Sequence, residues 1–274
     1  MTEAWVQRYG SEAGSQESAY KVVTDAAGNV IVAGTSTHNQ TGSGSDMLVI
    51  KYSGAGVPLW TNRHDGMARA VAVDARGNVF VMGYSGLFLD CATIAYSSAG
   101  VPLWTNRYDG SAHGQDWATA IAMDGIGNIH VTGYSIGCDG TYDYATIAYS
   151  TAGAPLWTNR YNGPTNGDDS AYALAVDGNG NIYVTGTSRE GTAGWSFATV
   201  KYAPASPRLT ISLVGNQVRI AWPAYFPDWA LRRARAVGGP FNDAGLPLMT
   251  EGEESAVYDA AAAGTGLYRL ERSP

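Results

Sequence analysis

Only two of the 274 residues are cysteines, Cys91 and Cys138. Two are too few for a disulfide framework; they read as free thiols or, in an oxidising compartment, as a bridge between neighbouring repeats. Charge is also scarce, at 15% of residues, and the net charge is −7. A chain with no basic face has nothing to offer a phosphate backbone, which excludes nucleic acid as the partner. No apolar run approaches the length of a membrane span. The opening MTEAWVQRY shows no secretory signal and leads almost at once into a repeated segment. Two familiar catalytic signatures are missing too: H-E-x-x-H does not occur, and no glycine-rich phosphate loop follows a strand and opens a helix.

What is abundant is glycine (35), tyrosine (17) and tryptophan (8). That mixture suits short strands joined by tight turns, not a helical bundle. Four matching segments open at Trp5 (WVQRY), Trp60 (WTNRH), Trp104 (WTNRY) and Trp157 (WTNRY). Each is followed by a D-x-x-G-N turn, at Asp25, Asp74, Asp124 and Asp177, spaced by 49, 50 and 53 residues. Asp caps such a turn with its side chain, and Gly supplies the positive φ. Next comes a strand ending in Gly-Thr-Ser or Gly-Tyr-Ser, at Gly34, Gly83, Gly133 and Gly186. A further strand ends at Tyr52, Tyr96, Tyr149 and Tyr202. The stretch before each turn alternates with strand period two, as in Ala118 to Met123. Four antiparallel strands at a period of about 50 residues describe a β-propeller blade.

The pattern D-x-x-G-N-(V/I)-x-V-x-G-x-S, with A-T-I-x-Y and L-W-T-N-R-Y, resembles the bacterial β-propeller repeat family of SBBP type over residues 5 to 202. The resemblance implies an all-β fold and a secreted or cell-surface setting; it implies no reaction. The expected architecture is a small four-bladed propeller over residues 1–203, with blades near 17–64, 65–108, 109–161 and 162–203 plus 1–9. The lone strand Trp5–Tyr9 is expected to complete the last blade and close the ring. The rival is a homodimer whose two chains join into one eight-bladed ring. Residues 204–274 form a separate C-terminal module, resembling fibronectin-like, β-sandwich modules, in which the stretch from Trp229 to Ala236 is either a strand or a helical turn.

Variable loops on one face are expected to carry function. Eight residues before each turn aspartate stand Glu17, Gly66, Asp116 and Asp169. Ring symmetry would gather Glu17, Asp116 and Asp169 near the axis, where hard oxygen ligands suit calcium or another divalent cation. Asp109 and Asp168 lie on adjoining loops, with His64, His113 and His38 as the histidines of this face. From Trp60 to Asp74 the second copy takes 14 residues where the others take 20, which predicts a notch bordered by Met67, Arg69 and Phe88. Trp117 and Trp195 could stack on sugars. Lys21, where the other copies have Ala70, Ala120 and Ala173, is placed to pair with Glu17 or touch a ligand. His130 replaces Ile31, Phe80 and Tyr183 and reads as core.

Two functions compete on this sequence. One is a binding or scaffold module for a small-molecule or polymer ligand. The other is a metal-dependent hydrolase of esters, lactones or phosphotriesters, its ion held by Glu17, Asp116 and Asp169 and its proton carried by His64 or His113.

Overall fold

The computed structural model describes residues 2–10, 15–38, 44–86, 89–204, 209–223, 229–234, 242–251, 254–260 and 267–272. Among them every regular element is a strand, and no helix is long and apolar enough to cross a membrane. The chain divides at Ala203/Pro204 into two compact units.

The first unit holds four antiparallel sheets, each a simple up-and-down meander. Sheet one contains β1 (Gln16–Thr24), β2 (Val30–His38), β3 (Gly44–Tyr52) and β4 (Pro58–Asp65). Sheet two contains β5 (Met67–Val73), β6 (Val79–Ser85), β7 (Asp90–Tyr96) and β8 (Pro102–Tyr108). Sheet three contains β9 (Asp116–Met123), β10 (Ile129–Ile136), β11 (Tyr142–Tyr149) and β12 (Pro155–Tyr161). Sheet four has three strands: β13 (Asp169–Val176), β14 (Ile182–Arg189) and β15 (Trp195–Tyr202).

The repeated turn works as its sequence requires. Asp25 Oδ1 accepts from the amides of Ala27 and Asn29 at 3.0 and 2.9 Å, while Oδ2 accepts from Asn29 Nδ2 at 2.8 Å. Asp74, Asp124 and Asp177 repeat this bonding.

Each first strand carries a β-bulge. Pairing skips Tyr20, Arg69, Thr119 and Tyr172, one residue in each sheet. The residue paired beside each bulge is Gly34, Gly83, Gly133 or Gly186, and a Cβ there would overlap the carbonyl oxygen of Ser18, Met67, Trp117 or Ser170. Glycine in the Gly-Thr-Ser and Gly-Tyr-Ser landmarks is therefore what lets the bulge form.

The core lies between the sheets. Ile31, Met47 and Val49 pack on Ala68, Val79 and Val81 across the first interface. Phe80, Met82 and Cys91 meet Ala118, Ile129 and Val131 across the second. Tyr144 fills the third, against Ala171, Ile182 and Val184. Full burial of such side chains contributes about 1.5–3 kcal/mol each. First strands of successive sheets lie side by side, β1 on β5, β5 on β9 and β9 on β13.

The expected closure by the N-terminal strand is not what the structure shows. Residues 2–10 form no strand, and sheet four keeps three strands among the described residues. The segment lies instead on sheet one. Trp5 Nε1 donates to Gly54 O at 3.2 Å, its ring stands 6.1 Å from that of Tyr52, and Tyr9 accepts from Arg63 Nη2 at 3.1 Å. The physical reason is that the Trp of each copy docks on the sheet that follows it; Trp5 obeys this rule without a strand partner.

The second unit packs two sheets over a small core. One is β16 (Thr210–Val214), β17 (Gln217–Pro223), β20 (Met249–Glu251) and β21 (Glu254–Ala260). The other is β18 (Trp229–Ala234), β19 (Asn242–Asp243) and β22 (Leu267–Arg272), so the stretch from Trp229 is a strand, not a helical turn. Ile220, Trp222, Leu231 and Val257 fill the space between them.

Candidate functional site

Asp116 and Asp169 open β9 and β13 and are both buried. Each reaches back six residues to lock its own loop: Asp116 Oδ2 accepts from the amide of Gly110 at 2.8 Å, and Asp169 Oδ2 from that of Gly163 at 2.5 Å. Glu17 accepts from Ser15 Oγ at 2.8 Å and Ser36 Oγ at 3.3 Å within sheet one. The structure thus gives the three predicted metal ligands equivalent places but does not gather them. Asp116 and Asp169 turn to the loops that enter their strands, where a short acid satisfies an otherwise buried amide, whereas Glu17 bonds serine hydroxyls.

A different acidic group forms at the junction of sheets two and three. Ligand atoms of Asp90, Asp109 and Asp116 lie within 4.8 Å of one another. Burial pushes the Asp90 carboxyl above its ordinary range, and Asp109 adds to the effect. Burial likewise pushes up Asp116, against hydrogen bonds from Ser135 and Gly110, with Asp109 and Asp90 contributing. His113, in a left-handed conformation at φ 50°, approaches Asp109 Oδ2 with Nδ1 at 2.6 Å; that hydrogen bond raises its pKa. His64 is engaged elsewhere, its Nδ1 2.9 Å from the backbone oxygen of Asp65. His113 and His64, the predicted proton carriers, therefore serve separate local contacts.

Lys21 pairs with Ala33 in β1 and makes no ion pair among the described residues; the bulge at Tyr20 intervenes between it and Glu17. Trp195 begins β15 and is exposed. Phe88 lies outside the described residues, so the predicted notch is represented by Met67 and Arg69 alone. His130 is buried, with Nε2 3.1 Å from Asp124 Oδ2.

Arg69 is the residue that the first strands place most distinctively. As the bulge residue of sheet two it projects from β5, exposed, with Nη2 donating to the Tyr84 hydroxyl at 2.8 Å. Its guanidinium lies 5.4 Å from the Tyr20 ring centre and 5.3 Å from that of Tyr84. From there an aromatic row continues: Tyr84 to Trp117 at 4.6 Å edge-on, Trp117 to Tyr134 at 6.2 Å stacked, Tyr134 to Tyr142 at 5.4 Å edge-on. Among the described residues no carboxylate pairs with Arg69.

Residues 157–190 match the family described as Beta-propeller repeat (SBBP). That span runs from Trp157 to Glu190 and takes in the turn, bulge and strand landmarks that the other three copies repeat. That segment is a β-propeller repeat of this family. No curated protein matches the chain. Among solved structures it is similar to a protein of unknown function from Bacteroides caccae, at 13% identity and TM-score 0.43, over 78% of this chain and 73% of that one. It is also similar to the β-propeller domain of the Trilobed protease from Pyrococcus furiosus, at 7% identity and TM-score 0.32, over 75% of this chain and 77% of that one. Likenesses this distant carry no argument about activity.

The aromatic row is shared between the bulged first strands and their neighbours, with Tyr84 on β6, Tyr134 on β10 and Tyr142 on β11. Tyr20, Tyr84, Tyr134 and Tyr172 are absent from the predicted site residues. The signal for Tyr20 and Tyr172 lay one residue before the Lys21 position, which reads Tyr20, Arg69, Thr119 and Tyr172 across the copies. Thr119 adds a cross-blade link, donating to Ala171 O at 2.9 Å. Flat ring faces, exposed hydroxyls and one unpaired cation suit a ligand with apolar ring faces and an anionic group.

Proposed function

We propose that the propeller unit, taken as four blades, is a ligand-binding module whose ligand is an acidic saccharide. The observation that supports this reading is Arg69, held between Tyr20 and Tyr84 at one end of an aromatic row, with no carboxylate partner among the described residues. Tyrosine faces hold the guanidinium in place at about 0.5–1 kcal/mol per exposed contact, so little side-chain freedom remains to be lost on binding. A uronic-acid carboxylate would accept from Arg69, and the sugar faces would lie over Tyr20 and the Trp117 row. The net charge of −7 disfavours a long polyanion. A short oligomer, screened within about 8 Å at physiological salt, meets less of that field. The hydrolase alternative has less support, because Glu17, Asp116 and Asp169 form no shared group of ligand atoms among the described residues.

Calorimetric titration with trigalacturonate tests the reading, with the neutral maltotriose as control. Saturable binding to trigalacturonate is expected, reduced about tenfold or more in Arg69→Ala. Equal binding by that variant, or preference for the neutral sugar, would reject the proposal.

A further inference from the structure

We infer that a second copy of this chain completes the arc of sheets, each copy's β15 receiving the other's N-terminal segment. This goes beyond the ligand reading and is independent of it.

The argument starts from the three junctions inside the arc. In each, the segment carrying the landmark Trp does two things. It pairs as the fourth strand of its own sheet, placing Trp60 opposite Lys51, Trp104 opposite Ala95 and Trp157 opposite Ala148. It also docks its Trp on the third-strand Tyr of the following sheet, Trp60 on Tyr96, Trp104 on Tyr149 and Trp157 on Tyr202, at ring separations of 6.1, 5.9 and 5.8 Å. Trp60 and Trp104 also donate their indole N–H to Ser98 O and Thr151 O there.

At the two ends of the arc these halves come apart. Residues 5–9 have the docking half: Trp5 lies on Tyr52 and donates to Gly54 O, and Tyr9 meets Arg63 as Tyr108 meets Arg160. They have no strand partner among the described residues. The edge of β15 has the complementary lack, since no fourth strand among the described residues pairs with it. By the repeat register, Lys201 falls opposite a Trp5 and Phe197 opposite a Tyr9.

Phe197 makes the case sharp. It is 93% exposed, whereas its equivalents Met47, Cys91 and Tyr144 are exposed by 1%, 4% and 0%. Those three are buried by the sheet that follows them. On sheet one the matching receptor positions are Ala19, which is exposed, and Val30 and Val32, which are half-buried beside Tyr9. Their equivalents on the other sheets (Ala68, Ala118 and Ala171; Val79, Ile129 and Ile182; Val81, Val131 and Val184) are buried. The end face of one copy therefore fits the start face of another by the same contacts that hold the arc together. Two such junctions related by a two-fold axis close a ring, and both are of this one head-to-tail type.

Light scattering coupled to size exclusion on the full chain, at micromolar concentration, tests this. Twice the chain mass is expected. Phe197→Asp and, on the opposite face, Ala19→Glu should each give the mass of one chain while circular dichroism keeps the β signature. A single-chain mass for the unaltered protein, which would mean closure within one chain or none, overturns the inference. So does a dimer that survives either substitution.

Discussion

Lys51 Nζ stands 2.9 Å from Asp25 Oδ2, with the two side chains only 3% and 5% exposed. The same ammonium donates to Ser98 O at 3.1 Å, so the pair ties the first turn of sheet one to a turn of sheet two. Burial pushes the Asp25 carboxyl up, but hydrogen bonds from Asn29 and Lys51 outweigh it and hold the pKa at about 2. A depressed acid stabilises the fold above its ordinary pKa, and that stability is lost as pH falls from about 4 toward 2. Lys51→Met should cost about 3–5 kcal/mol in urea unfolding at pH 7, because a buried carboxylate is left alone. Adding Asp25→Asn should recover most of it. A double variant no more stable than the single would show that the pair matters only through packing.

Gly83→Ala should destabilise the first unit by at least about 2 kcal/mol, since the new methyl would overlap the Met67 carbonyl beside the Arg69 bulge. Gly125→Ala, where nothing lies within 4 Å of the added carbon, should be neutral or slightly stabilising. Thermal melting of the two variants side by side checks the contrast.

Crowding of Asp90, Asp109 and Asp116 sets a charge penalty of the opposite sign. Asp90 and Asp116 titrate above their ordinary values, so their ionised forms oppose folding. Stability is full below the ordinary pKa and falls as pH rises through the raised ones. Asp90→Asn should therefore raise Tm at pH 7 by about 1–3 °C, and this gain should vanish near pH 3. A constant gain across that range would assign the effect to packing.

The two thiols should differ sharply in reactivity. Cys138 is exposed, whereas burial, with Asp116 and Asp90 nearby, pushes the Cys91 thiol up to about 12. A thiol so raised holds almost no thiolate at neutral pH. Ellman's reagent should count one fast thiol in the native protein and two in denaturant. Two fast thiols would place Cys91 in contact with solvent.

The repeat was legible because its landmarks are local chemistry. An aspartate that accepts two amides within four residues, followed by a glycine with positive φ, marks its turn wherever it stands. The bulge was not legible, since it exists only in the pairing of two strands; a count that ran straight through it pointed to Lys21 in place of Tyr20. The carboxylates at Glu17, Asp116 and Asp169 were correctly seen as equivalent. In sheets three and four that place holds a loop anchor, and no spacing reveals which way a side chain turns. Trp5–Tyr9 showed its docking half in the sequence, while its lack of a strand partner among the described residues is a matter of tertiary pairing that no local pattern encodes.

The bulge has one more consequence. It fixes a glycine on one strand and leaves the residue facing it on the other open to choice, so each repeat carries a single writable character on an unchanging page. Tyr20, Arg69, Thr119 and Tyr172 spell one such word. A change at that character would alter the surface beside the bulge while leaving the glycine and its strand pairing in place.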